Sequence, residues 1–443
     1  MKKLIPLLLL LALLLSACAG SDSGDKQAAQ SEPAPVDTAE TLAADHTVIS
    51  LNGQSAEIRG GGARDEGSAV TISAAGTYEI TGACLDKAIV VDTGDDPMDV
   101  TVVLSNASVT CLSGPALHVR QAKHFRLQLA GQNSLISGTE AMLQSLDPEA
   151  SGGALYSEDD MDIEGDGSLT VCGYLNNGIA CKNDLDLNSG SITVLAANNG
   201  VKGNDSVQVK GGSLSVSAWG DGIKSSTLDK EGKGYVEISG GSVTVESWSD
   251  GVQAATELRL TGGSLSVTAR GDGVENSSKA LKAESLILLS GGTVSLNSQE
   301  DGLRCSEGSI SITGGTLEIV TLTDGIQAGE KDSGIGDVTV TGGDLRISAG
   351  SRAVKAQGSF SVTGGSIRAL CGSEKQSPAA GSPCLLDLIS GSAGDTLQIG
   401  DLESIQALQD YKCLLLVREG LSAGARISVS NSSGNFEFTV RKA

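Results

Sequence analysis

Positive charge is in short supply in this chain. Its 31 Lys and Arg face 54 Asp and Glu, which leaves a formal net charge of −23. Such a surface is wrong for nucleic acid, whose phosphates need a basic face, and wrong for direct docking on anionic lipid. It suits neutral polysaccharide, metal cations, or an acidic partner bridged by cations. Histidine is scarce too, with only His46, His118 and His124. The nine cysteines lack the paired close spacing of a zinc site. Aromatic residues make up 2% of the chain, and the only two tryptophans are Trp219 and Trp248.

The longest apolar run is too short to cross a membrane comfortably. It extends from Leu4 to Leu15, after the basic start Met1-Lys2-Lys3, and ends in Leu15-Ser16-Ala17-Cys18. A basic start, a short apolar stretch and small residues before the cut read as a secretory signal. The cysteine at the cut resembles a bacterial lipobox, so residues 1–18 are expected to be a lipoprotein signal with a diacylglycerol on Cys18. Its acyl chains would hold the protein on the outer side of the cell membrane without spanning it. Residues 19–45 are rich in Ser, Ala, Asp, Gln and Pro and read as a flexible tether that cannot bury a core.

The rest of the chain is repetitive. From Val209 it reads V-K-G-G-S-L-S-V-S-A-W-G-D-G-I-K, and from Leu260 it reads L-T-G-G-S-L-S-V-T-A-R-G-D-G-V-E. The second glycine of the pair recurs at 190, 212, 241, 263, 292, 315, 343 and 365. The basic step is 22 or 23 residues, and three steps of 28 or 29 carry insertions such as Asp229–Gly234. Alternation at Leu214/Val216, Val243/Val245 and Leu265/Val267 is that of strands. The Gly-Gly pair supplies positive φ for a tight corner. Three strands and three turns in about 22 residues predict an all-β, right-handed parallel β-helix. Its coils would stack about 4.8 Å apart, with equivalent residues in ladders and little interior room for aromatics. The hexapeptide sub-period of a left-handed helix, the roughly 40-residue period of a propeller and the Leu-x-x-Leu-x-Leu pattern are all missing. The helix is expected over residues 46–375, less regular up to about 160, with a loop insertion at 137–158. An irregular β cap is expected over 376–443. Cys371 and Cys384, on either side of a Gly/Ser/Pro loop, leave open a disulfide or two free thiols.

Aligned on Asp-Gly, the coils stack Asn177, Asn199, Asp221, Asp250, Asp272, Asp301 and Asp324. Continuing the alternation from Leu214 and Val216 points this column outward. Carboxylates so spaced repel by roughly 1 kcal/mol per neighbouring pair in water and by more near a protein surface. Asp221, Asp250, Asp272, Asp301 and Asp324 are therefore candidate ligands for Ca²⁺, which accepts many oxygens in flexible geometry. Turn preference alone would also place Asp-Gly here. Three residues on come Ala180, Lys202, Lys224, Gln253, Glu275, Arg304 and Gln327, which offers no cation at Asp250, Asp272 or Asp324. Trp219 and Trp248 share one slot in adjacent coils and are candidate sugar contacts. A second set, Asp159-Asp160, Asn183-Asp184 and Asp205, reads mainly as turn chemistry.

Val48–Gly53, the segment Ala75-Gly76-Thr77-Tyr78-Glu79-Ile80-Thr81-Gly82 and the repeated G-G-[ST]-φ-x-φ…D-G-φ coils resemble a bacterial family. It is the calcium-binding, carbohydrate-binding β-helix family of cellulose-degrading anaerobes. The resemblance covers most of residues 46–370. It implies a pectate-lyase-like helix that binds polysaccharide, acidic or cellulose-like, with calcium on the Asp of each Asp-Gly and without lyase activity. Asn177 and Asn199 depart from Asp, and Ser351-Arg352-Ala353 loses the motif. The expectation is a monomeric, lipid-anchored surface protein that binds polysaccharide, not nucleic acid. Two alternatives stay open. One is a pectate-type lyase with calcium and Lys224 or Arg304 as base, and the other is a structural adhesin. A pectin hydrolase would carry Gly-His-Gly and Arg-x-Lys, and neither surrounds the three histidines.

Overall fold

In the computed structural model the described residues are 46–144, 152–271, 277–377 and 379–441. The expected signal segment, Cys18 and the expected tether lie outside them. The described chain is all-β, a β-solenoid of about 11 turns.

One turn shows how the repeat works. Strand Ser206–Val209 precedes the Gly-Gly corner, Ser213–Ala218 follows it, and Ile223–Ser225 comes after Asp-Gly. Each pairs in parallel with its equivalent one turn on: Tyr235–Ile238, Ser242–Ser247 and Val252–Gln253. The strands flanking Gly-Gly belong to a 26-stranded sheet, and those after Asp-Gly form a 13-stranded sheet. Along each strand alternate residues turn inward. Val207, Val209, Leu214, Val216 and Ile223 are buried in one continuous core, while Ser213 and Ser215 are exposed.

Two glycines per turn are dictated by this stacking. At Gly241, φ is 75°, a region that disfavours any side chain. The glycine of Asp-Gly is needed for close approach instead. A Cβ on Gly222 would stand 2.1 Å from Val245 Cγ1 and 2.6 Å from the Gly251 carbonyl oxygen. Gly251 meets Val267 in the same way, and Gly325 meets Ile347. Where the motif is lost, Ala353 replaces the glycine. The residue stacked on Ile347 in the following turn is Ala369, so the larger residue at 353 coincides with a smaller one at 369.

The strands expected near Val70, Thr77, Ala88 and Val100 lie within Ala69–Ile72, Gly76–Leu85, Ala88–Asp92 and Asp99–Cys111. The loop expected at 137–158 is narrower than that. Gly153–Ser157 is a strand of the 13-stranded sheet and buries Leu155. All five of its residues are buried, Ala154 and Leu155 in the core, so no inward–outward alternation announces it.

One register differs from the sequence alignment, and it matters for the site. Four residues, 219–222, separate Ser213–Ala218 from Ile223–Ser225, but eleven, 270–280, separate Ser264–Ala269 from Leu281–Ala283. Val252 pairs with Leu281, and Leu281 with Leu303. The slot after Asp250 is therefore filled by Lys279, not by Asp272, and Asp272 itself lies outside the described residues.

After the last parallel strand the pairing reverses. Tyr411–Val417 runs antiparallel to both Ser366–Cys371 and Cys384–Gly391. Its continuous apolar run is buried on both faces: Cys413, Leu415 and Val417 join the solenoid core, while Leu414 and Leu416 join a second cluster with Leu397, Ile399 and Val429. A four-stranded antiparallel sheet covers that cluster. Cys371 faces Cys413, whereas Cys384 faces Val417 on the far side of the intervening strand. The Cys371–Cys384 pairing is thus not the one the sheet brings together, and both thiols are free.

Overpacking a close-packed interior costs about 1–3 kcal/mol. Gly251→Ala is expected to lose that much stability in chemical denaturation, and the double variant with Val267→Ala should regain most of it, as Ala353 over Ala369 suggests.

Candidate functional site

The Asp-Gly column stands on the outer rim of the 13-stranded sheet, at the corner where each turn enters that sheet. Alternation predicts that it points outward, and the structure corrects this. Asp221, Asp250, Asp301 and Asp324 are 5%, 1%, 7% and 6% exposed. Alternation holds only within a strand, and the strand ends at Ala218; the four-residue corner then turns the carboxylate back along the stack. Each side chain bonds to the turn that follows. Asn177 Oδ1 accepts the Asn199 N–H at 3.1 Å, and Asn199 Oδ1 accepts that of Asp221 at 3.1 Å. Asp221 Oδ1 accepts the Asp250 N–H at 3.0 Å, and Asp250 Oδ1 that of Lys279 at 3.0 Å. Asp301 Oδ1 accepts from Asp324 N at 3.2 Å, and Asp324 Oδ1 from Arg352 N at 3.0 Å. Asn serves this ladder as well as Asp, which explains why both occur.

The second carboxylate oxygen goes to a cation. Lys224 Nζ lies 2.6 Å from Asp221 Oδ2 in the same turn. Lys282 reaches back from the next turn to Asp250 Oδ2 at 3.2 Å, and Lys355 reaches back to Asp324 Oδ2 at 3.1 Å. The expectation that Asp250 and Asp324 go without a counter-ion is overturned, because the partner comes from the neighbouring turn. Lys282 in fact occupies the slot that the sequence alignment gave to Glu275. Asp301 is served least well: Arg304 Nη1 is 3.9 Å away and its other terminal nitrogen bonds to Glu330. With one oxygen on a backbone N–H and the other on an ammonium, Asp221, Asp250 and Asp324 do not fit a shared calcium ion. Among the described residues no three His, Cys, Asp or Glu side chains converge as a metal site.

Beside the ladder an open groove is lined by Tyr156, Lys182, Asn198, Lys202, Trp219 and Lys224, among others. Trp219 and Trp248 do stack, with centroids 5.2 Å apart, but their planes are tilted by 50° and both are half-buried, so they make a stepped strip and not a flat one. Lys182 is paired with Glu158 at 2.6 Å. Lys202 has no ion pair among the described residues. Burial, and then the neighbouring Lys224, hold its ammonium below the usual lysine range. Tyr156 stacks on His118, with centroids 5.0 Å apart. The repeat marks Lys202 only as a counter-charge and gives no sign of Tyr156, although both stand in one column of the 13-stranded sheet.

Residues 66–325 and 306–439 match the family described as carbohydrate-binding domain-containing protein. The chain belongs to that family. A family relative from Acetivibrio thermocellus, itself described as a carbohydrate-binding domain-containing protein, is 32% identical over 130 residues. That stretch is 29% of this chain and 45% of the relative, so the chain spans less than half of the relative's length. A solved structure, the polysaccharide lyase-like protein from C. thermocellum in its gadolinium derivative, is 29% identical. It covers 55% of this chain and 96% of its own, with a TM-score of 0.49.

The second acidic set of this family member is also committed. Asp159 Oδ2 accepts the Ala122 N–H at 2.9 Å, and Asp160 Oδ1 that of Asp184 at 3.2 Å. Lys233 from the 226–234 insertion lies 2.6 Å from Asp184 Oδ2, and Lys230 lies 3.2 Å from Asp205 Oδ2.

Burial pushes the Asp301 carboxyl up, and Asp324 beside it adds to the rise. A carboxyl raised on folding favours the folded state most while protonated, and that contribution is lost as pH rises through the folded pKa. Asp301→Asn keeps the Oδ1 acceptor and removes the charge. It should raise the thermal midpoint at neutral pH and leave it unchanged near about pH 3, where the carboxyl is already protonated. Calorimetric melts across that range check this.

Proposed function

We propose that this protein is a lipid-anchored, monomeric cell-surface protein that holds a carboxylate-bearing polysaccharide in the groove beside the Asp-Gly ladder. One observation carries the site: Lys202 offers an ammonium without an ion pair among the described residues, in a polar groove bordered by Trp219. An indole face suits the apolar side of a sugar ring, and an ammonium suits a uronate carboxylate. The amide of Asn198, which bonds to Asn176 Oδ1 at 2.8 Å, adds polar edges for hydroxyls. The chain is acidic as a whole, so a local cation is what lets an acidic glycan approach. Family membership supports the polysaccharide class. The tether beyond Cys18 would place the groove clear of the membrane. In this reading the solenoid winds right-handed, as parallel crossovers generally do, with three strands per coil, and the strands after Cys384 cap the last coil's edge against pairing with other chains.

A polysaccharide lyase is the second reading, favoured by the depressed ammonium of Lys202, since such a reaction needs a base beside the uronate α-proton. The bases singled out in the sequence, Lys224 and Arg304, are both held in ion pairs. Unsaturated-uronate absorbance appearing on pectate would support the lyase, and its absence would remove it.

Calorimetric titration with acidic and neutral oligosaccharides, in chelator, tests the binding site. Lys202→Met should weaken acidic ligands by roughly tenfold, the size of one charged hydrogen bond, and spare neutral ones. Trp219→Ala should weaken both. Unchanged affinities in both variants would overturn the site.

A further inference from the structure

Among the described residues five acidic side chains are buried: Asp205, Asp221, Asp250, Asp301 and Asp324. Every one has a Lys or Arg within 4 Å: Lys230, Lys224, Lys282, Arg304 and Lys355 respectively. Three of these cations come from a different turn or from an insertion. Lys282 and Lys355 reach back one turn, and Lys230 belongs to the segment between strands Ile223–Ser225 and Tyr235–Ile238.

The insertion at 270–280 adds to the same pattern. Read by motif, the column would stack five carboxylates in successive turns. The seven extra residues of that segment, eleven against four, shift the register so that Lys279 stands between Asp250 and Asp301. The Lys279 backbone N–H satisfies Asp250 Oδ1 at 3.0 Å, and its ammonium lies 2.8 Å from Glu300. The acidic run is thereby cut into two pairs, Asp221/Asp250 and Asp301/Asp324. Buried like charges at this spacing would otherwise need an external cation.

We propose that the chain's own lysines and arginines take the place of a divalent cation along this ladder, so that the solenoid is stable without calcium. This goes beyond the polysaccharide-binding reading and does not depend on it, because the readout is stability and not glycan affinity. The expected calcium role of Asp221, Asp250, Asp301 and Asp324 is replaced by a structural one.

The test uses thermal unfolding of the exported chain in chelator and in millimolar calcium. The wild type should melt within about 2 °C in the two conditions, and Lys282→Met should melt lower by about 5 °C or more in chelator, because a buried carboxylate loses its partner. Asp250→Asn/Lys282→Met should recover the wild-type midpoint, since Asn keeps the Oδ1 acceptor as Asn177 and Asn199 do. A wild type that loses many degrees in chelator would overturn the proposal. So would a double variant no more stable than Lys282→Met alone, which would make the lysine a packing residue. If Lys282→Met does not fold, the wild-type comparison and the double variant still decide.

Discussion

Everything in this protein follows from parallel hydrogen bonding between successive turns of one chain. Each strand finds its partner one turn away, at about 4.8 Å, so residues at the same place in the repeat are forced into contact. A choice made once is made in every turn. The glycine of Asp-Gly is a direct product of this constraint, since its neighbour above is always the β-branched residue of the next strand, such as Val245 over Gly222. Where Ala353 takes the glycine's place, the next turn offers Ala369 instead of a β-branched residue.

The same forced contact makes a repeated charge expensive. An Asp that suits one corner becomes a column of buried carboxylates when copied. The chain meets this in three ways that differ in kind. Asn177 and Asn199 keep the ladder's hydrogen bond and drop the charge. Lys224, Lys282 and Lys355 supply counter-charges, two of them across turns. The long segment before Leu281 changes the register and puts Lys279 where an Asp would stand. Ladder geometry and ion pairing are thus one device: Oδ1 holds the next turn's backbone, and Oδ2 holds the cation that makes burial tolerable.

The groove draws on the leftover members of these columns. Among the described residues most cations on this face are spent on carboxylates of the fold, and Lys202 stands in a turn where the ladder residue is Asn199, so the ladder gives it no acid of its own turn. In the proposed function, that absence, beside Trp219, is what would let the groove receive an anionic sugar. The net charge of −23 would keep such a ligand away from most of the molecule, so Lys202, which has no ion pair among the described residues, would have a large influence on where it settles.

The repeat, the inward and outward faces of the alternating strands beside the Gly-Gly corners, the corners themselves and the family were legible in the sequence. These are local and periodic properties, written afresh in each turn, and Leu214/Val216 or Leu265/Val267 announce them without help. The tertiary structure decided the rest. The outward direction expected for Asp221 failed because alternation ends with the strand at Ala218, and a corner has no period to extrapolate. The place of Asp272 in the ladder failed because motif and register are different things: pairing of Val252 with Leu281 is a contact across 29 residues that no local pattern encodes. The missing counter-ions of Asp250 and Asp324 were missing only along the chain. Their lysines stand one turn away, where hydrogen bonding between turns, and not sequence distance, sets what is near.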